Sequence, residues 1–475
     1  MAVIFFVINT TQGISVAAIS IPEIDLLESS HTSINFNTFP TKNISTINAE
    51  EVIAMIVAGK ELRLDNVIII GNLNLSSLYW PDNNRQKMVI TNSKILGYVD
   101  FSGNIFNGPV NFSGTVFLKV ADFVGAQFND VAYFQYAQFK DNAYFSFAQF
   151  KEKVFFFGTK FDKNAYFPSA QFGNKIYFSN AQIKKNSFFG GSQFLGDAHF
   201  ENISFFGNSF FAKAQFSENV RFVVSKFCQY ADFGRAQFEK NIDFEGAKFE
   251  NVADFEGAQV RGVANFKMVW FAGQTYFQWS QINNGASFET ARFDGDVYLN
   301  AMTYTRMYLP WDLIKNNLVF NSGSYFGLVN NYRALNWLED ANNCYYKYRT
   351  ENQQGKSWID LTKYLDIFLC ISSGYGLYPE RLIYFSGIVI LFFACIYRLW
   401  NGIYIIPCPF HAGYCQRLSF IESLYFSCLI YFTSNSLTTW QPSTTTWRYI
   451  VIFEDIMGWM FLGVFISIIS KAWMS

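Results

Sequence analysis

The sequence is poor in the residues that most often carry chemistry. Its 475 residues include only 3 His, 7 Cys and 10 Pro. His31, His199 and His411 stand far apart, and the cysteines are scattered, which excludes a zinc-rich chain. Ten prolines are too few for a Pro-rich linker protein. Charge of either sign is also sparse: 36 Lys plus Arg against 37 Asp plus Glu leave a formal net charge of −1. A nucleic-acid binder normally presents a basic surface to phosphates, so no nucleic-acid partner is expected. No G-x-G-x-x-G or Walker pattern sits between a strand and a helix, and no nucleophile has a base beside it. No cofactor, metal or catalytic residue is therefore expected, and the chain does not read as an enzyme. The 51% apolar content in turn excludes a mainly disordered chain. What is present in excess is aromatic: 56 Phe and 27 Tyr. An excess this large calls for a repeated geometric cause.

That cause is an eleven-residue period. Every eleventh residue from Phe101 to Phe288 is phenylalanine, eighteen in succession, followed by Leu299. A second series runs five residues later from Phe106 to Phe293, with Ile183, Val260 and Ile282 as its substitutes. The position two before each Phe is small or β-branched, as in Ala121, Ala132 and Ala126, with Asn104 the clear exception. Residues i−2 and i point to one side of an extended segment. A 5,6,5,6 spacing fits neither a 3.6-residue helix nor a long alternating strand. It fits short strands separated by corners, wound so that each turn stacks its Phe on the next and contacts only its neighbours. If two units make one four-sided turn, 101–299 forms roughly nine turns and about 43 Å of rod at the usual strand spacing.

Segments such as ADFVGAQF (121–128) and IDFEGAKF (242–249) make residues 90–303 resemble pentapeptide-repeat proteins. The resemblance implies a right-handed quadrilateral β-helix. This chain departs from it by one additional residue in every second unit. Ahead of the ladder, LRLDNVIIIGNLNLSS (62–77) alternates like strands, and Ile90 and Ile95 already hold ladder phase. Residues 78–89 read as a loop or insertion. An outermost turn exposes pairing edges and must be covered. The helical spacing at 50–60 suits that task. The expected organisation is an N-terminal segment and cap over 1–60, a β-helix over 61–303, a helical connector over 304–372 and a membrane module over 373–475. In the connector, recurrence at three and four (Tyr325, Leu328, Tyr332, Leu335) predicts a helical hairpin with SGSY (322–325) as its turn and cap. A third helix is expected around 358–371, and the connector reads as a spacer.

LIYFSGIVILFFACIY (382–397), flanked by Arg381 and Arg398, and YIVIFEDIMGWMFLGVFISIIS (449–470), ending at Lys471, are apolar enough to span a bilayer. Glu454 and Asp455 inside the second are costly unless they face a partner or sit near an interface. Their position five to six residues into the run suggests proximity to the membrane surface. FIESLYFSCLIYF (420–432) is too short to cross and reads as a re-entrant helix.

SLYFSCLIYFTSNS and WRYIVIFEDIMG make residues 380–471 resemble a two-transmembrane potassium-channel-like pore domain. The resemblance implies a pore helix at 420–432, an inner helix carrying Glu454 and Gly458, and a filter at Thr433, Ser434, Asn435, Ser436, Leu437 and Thr438. Gly463 offers a further small residue for close helix packing. Both filter glycines of that family are absent here, so potassium selectivity does not carry over. Gly374-Tyr375-Gly376, which precedes the first span, reads as a turn. The resemblance further implies a homo-oligomer, a tetramer foremost, in the lipid bilayer, monovalent cations as the permeant class, a cytoplasmic β-helix and an unknown protein partner for it. The rival reading is a membrane-anchored, non-conducting scaffold. Basic residues do not decide sidedness: Lys356, Lys363, Arg381 and Lys471 oppose Arg398, Arg417 and Arg448. Residues 1–19 have an apolar stretch and a small-residue tail but no basic n-region, leaving a cleaved signal peptide, which would invert the topology, or a buried strand. An outward-facing loop would allow a disulfide between Cys408 and Cys415. With His411 their spacing is too irregular to argue for a metal.

Overall fold

The structure, a computed structural model, describes residues 45–76, 86–405, 418–433 and 440–474. The 1–19 segment, most of the 78–89 insertion, Cys408, Cys415 and the filter positions Ser434 to Thr438 lie outside them.

From Ser45 to Tyr308 the chain is a β-solenoid of about twelve turns. Four sheets of 12, 11, 10 and 12 strands run along it, and all their pairings are parallel. Most strands are two residues long and pair with the strand 22 residues on: Ala121 with Ala143, Gln127 with Gln149, Ala132 with Val154, Val116 with Gln138. One turn therefore consumes two eleven-residue units. The solenoid is longer at both ends than 61–303, because Ser45–Asn48 pairs with Val67–Ile70 and Met307–Tyr308 with Ala286–Ser287. The early turns use Ile and Leu where later ones use Phe, which hides them from a phenylalanine count. Leu62 pairs with Met88, so that turn holds four extra residues around the insertion.

The 22-residue register turns the two sequence ladders into four ring stacks. Phe123 lies on Phe145 at 4.8 Å with planes 2° apart, and Phe167 on Phe189 at 4.8 Å and 0°. First-ladder residues eleven apart meet edge to face instead, as Phe123 and Phe134 do at 5.6 Å and 86°, with Phe101 and Phe112 at 28° the exception. Offset-parallel contact along each stack and edge-to-face contact between stacks are the two arrangements favoured by the ring quadrupole. Ala121, Ala126 and Ala132 are buried beside the rings. Where that position is polar some side chains find a partner, as Asn104 Nδ2 donates to the Leu75 carbonyl at 3.0 Å and Thr159 Oγ1 to that of Phe134 at 2.7 Å, whereas the Ser187 and Ser209 hydroxyls are buried without one.

Each eleven-residue unit turns a corner by a tight turn after its first Phe. The Ala126 amide donates to the Phe123 carbonyl at 3.0 Å, with Gly125 at φ 65°. This third turn position is left-handed throughout, and the sequence often places Gly or Asn there. Val224 holds it at φ 56°, a costly conformation for a β-branched residue, while its side chain is exposed. Val224→Gly is expected to stabilise the solenoid by about 0.5–1 kcal/mol in denaturant titration. An unchanged or lower midpoint would show that the turn relaxes around valine.

Helix α1 (Ala49–Val57) buries Ala49, Val52 and Ile56 in the solenoid core at its N-terminal end. At the other end α2 (Trp311–Ile314), α3 (Ser322–Ala334) and α4 (Leu338–Gly355) add Trp311, Ile314, Tyr325, Leu328 and Tyr332 to the same core. Asn331 closes the last strand by accepting from the Met307 amide at 2.9 Å and donating to its carbonyl at 2.7 Å. The α3–α4 hairpin follows the expected periodicity, but its cap is Asn321, which accepts from the Ser324 amide, and SGSY is the first turn of α3.

Helix α5 (Leu361–Ser373) leads through Gly374, Tyr375 and Gly376, all at positive φ, into α6 (Pro379–Trp400). This GYG is the expected turn. The short α7 (Phe420–Thr433) and the long α8 (Thr445–Met474) complete the chain, and the strand after α6 (Ile403–Ile405) pairs antiparallel with the one before α8 (Trp440–Pro442).

Candidate interaction faces and membrane helices

The outward residue of each two-residue strand repeats every 22 residues, so each sheet of the solenoid displays columns of like side chains. On one sheet all eight positions from Gln127 to Gln281 are glutamine, paired in register. On another, Lys160, Lys226, Lys248 and Arg292 recur. A third stacks Tyr133, Phe155, Tyr177 and His199 face to face at 5.3, 4.8 and 4.9 Å, followed by Arg221. The fourth combines the column Tyr144, Tyr166, Phe188 and Phe210 with Asp100, Asp122, Asp232 and Asp254. There, burial foremost and the carboxylate one turn away hold Asp122 and Asp232 above the usual aspartate range. Tyr230 donates to Asp254 at 2.7 Å. Among the described residues no group of His, Cys, Asp and Glu is arranged to hold a metal.

These corners and columns belong to a known repeat. The family model for pentapeptide repeats, in nine copies, matches residues 112–156, 244–278 and 255–303. The solenoid is a pentapeptide-repeat region. No curated protein and no solved structure matches the chain. The pentapeptide-repeat solenoid thus accounts for the phenylalanine ladders, and its four sheets carry chemically different columns.

The C-terminal helices form a separate apolar core. Residues Pro379–Trp400 and Thr445–Ile468 are each long and apolar enough to cross a membrane. Between them, α7 packs on both, burying Phe426, Ile430 and Tyr431. Glu454 is wholly buried, so it faces partners within the chain. Its carboxylate accepts from Tyr397 of α6 at 2.6 Å and from Ser427 of α7, whose hydroxyl also reaches the Ile390 carbonyl at 3.0 Å. One carboxylate of α8 therefore ties together all three helices. At Gly458 α8 lies close against α7, since a Cβ there would collide with the Tyr431 carbonyl oxygen. Gly463, expected to serve close packing, faces open space within this chain. Thr433 ends α7 with its hydroxyl turned back to the Leu429 carbonyl at 2.6 Å. Beside Gly458 lies an apolar cavity of about 430 Å³ bounded by Leu382, Ser386, Ile390, Phe432 and Phe465.

The Glu454 tie and the left-handed corner position were the functional and structural features that sequence reasoning missed. The corner had a signal, Gly or Asn two residues after the first-ladder Phe. The partners of Glu454 had none, because they lie 57 and 27 residues away.

Proposed function

We propose that this chain is a multi-pass membrane protein in which a right-handed, four-sided pentapeptide-repeat helix is carried by an oligomeric, cation-conducting module of α6, α7 and α8. The observation that carries the reading is α7: a fourteen-residue apolar helix clasped between two helices of spanning length. A short helix held at membrane depth by its neighbours is tolerated where it lines a protein-enclosed path. Residues 433–438, which begin at the last residue of α7, would form the constriction, with Asn435 and Leu437 at the positions of the two glycines of a carbonyl filter and hydroxyl residues around them. The solenoid faces would scaffold or recruit a protein partner on the cytoplasmic side.

The second reading is a membrane-anchored rod that conducts nothing, favoured by the chemically distinct columns on the solenoid's four sheets. Reconstitution of the full chain in liposomes separates the two. Monovalent cation flux together with a tetrameric mass in detergent is the expected result. A monomer without flux would leave only the anchored rod.

A further inference from the structure

Helix α5 is amphipathic in the wrong sense for water. Its charged side is buried and its apolar side is bare. Lys363 and Asp366 are 5% and 6% exposed, whereas Leu361 and, just ahead of the helix, Ile359 are 82% and 91% exposed. Tyr364, Leu365 and Ile371 continue the exposed face at helical spacing, and Trp358 stands at its start. The buried side is satisfied from within the chain. Asp366 pairs with Arg349 at 2.7 Å and Lys356 at 2.6 Å, while Lys363 donates to the Lys356 carbonyl at 2.7 Å and sits 4.1 Å from the Trp358 ring. Burial opposes ionisation of Asp366, but these two cations outweigh it and hold the carboxyl below its usual range. A helix facing water would be expected to have the opposite orientation.

We infer that α5 lies along the lipid–water boundary, with Ile359, Leu361, Leu365 and Ile371 in the acyl region. The inference rests on the membrane reading of α6 and α8 and deepens it. Three observations name lipid as the occupant. The helix of the bare face packs against both apolar helices, because Phe368 meets Phe385 of α6 at 5.9 Å and Phe461 of α8 at 5.6 Å. This contact places α5 beside the first turns of α6, where Arg381 stacks on Tyr378 at 4.5 Å and marks a polar boundary. Trp358 and Tyr364 on the exposed side are the residue types that anchor at that depth. Behind the apolar face Asp366 is paired with Arg349 and Lys356, and over 349–381 Arg349, Lys356, Lys363 and Arg381 are matched by Glu351, Asp360, Asp366 and Glu380, so the apolar face and not headgroup charge carries the inference. The same ion cluster joins α5 to α4, which closes the solenoid, so the rod is tied to the bilayer surface through paired charges.

The test uses the full chain in phosphatidylcholine–phosphatidylserine vesicles. Nitroxide labels are placed separately on Leu361→Cys, Leu365→Cys and Ile388→Cys, with the labelled parent chain subtracted as the baseline for native thiols. Accessibility to oxygen, which partitions into lipid, is compared with that to a water-soluble nickel chelate. The expected result is several-fold higher accessibility to oxygen than to nickel at 361 and 365, at shallower depth than at 388. Nickel-accessible labels at 361 and 365 with a lipid-exposed label at 388 would overturn the proposal and leave the membrane reading intact. Labels at 361 and 365 shielded from both reagents would mean that protein covers the face, which also overturns it. Nickel accessibility at all three positions would sink the membrane reading itself.

Discussion

Phe167→Ala is expected to cost the solenoid about 3–5 kcal/mol, among the largest effects any single substitution in this chain should have. Phe167 has no exposed surface. It stacks on Phe145 at 4.9 Å and on Phe189 at 4.8 Å, and meets Phe156 and Phe178 edge to face at 5.5 and 5.4 Å. Truncation removes the transfer free energy of the ring and leaves a cavity whose walls are rings held by their own stacks. Collapse into that cavity would have to bend two parallel ladders at once, so relaxation recovers little. The proper control is Phe147→Ala in the preceding turn, an exposed phenylalanine at a corner. It is expected to change stability by less than about 0.5 kcal/mol. Urea titrations of the full chain, followed by far-UV circular dichroism, measure both. Equal losses for the two variants would contradict the assignment of the stacks as the source of stability.

The same substitution should also change the shape of the transition. Turns contact only their neighbours, so coupling along the rod is a sum of interface contributions. Weakening the interfaces above and below Phe167 is expected to split one transition into two, with each part melting near its own midpoint. Phe293→Ala, near the end of its stack, should instead fray the last turns without splitting the remainder.

What the sequence disclosed follows from which interactions are local or periodic. The eleven-residue ladder was legible because every turn repeats the same core demand, so Phe101 and Phe288 report one geometry. The 22-residue register, and hence four stacks in place of two, required knowing that one turn takes two units. The N-terminal end reaches beyond 61 for a chemical reason. The turns of Leu62, Ile69 and Ile90 were already legible, but Ser45–Asn48, which pairs in register ahead of them, carries almost no ladder signal. The helical connector was legible as period, but its cap was assigned to SGSY because a serine and Asn321 stand side by side and both are good caps. In the C-terminal module, apolar length marked out the two helices long enough to cross a membrane. It could not reveal the environment of Glu454, since a carboxylate close to the start of a span reads the same whether it faces headgroups or a neighbouring helix.

Glu454 therefore gives the sharpest test of how the three C-terminal helices are held together. Glu454→Leu is expected to destabilise the bundle by about 2–3 kcal/mol, because it strands the Tyr397 hydroxyl in an apolar interior and removes one of two partners from Ser427. Glu454→Gln should cost much less. Its amide oxygen can accept from Tyr397, and its amide nitrogen can donate to Ser427, whose own proton already has the Ile390 carbonyl within 3.0 Å. If the stranded hydroxyl is the source of the loss, Tyr397→Phe in the Glu454→Leu background should recover most of it, although Tyr397→Phe alone is destabilising. Such a sign change in a double-mutant cycle is the signature of a direct pair. Thermal unfolding in detergent micelles, read from the aromatic near-UV signal of the helices, supplies the four values. Additive losses would mean that Glu454 and Tyr397 act independently, and the carboxylate could then not be the tie between α6, α7 and α8.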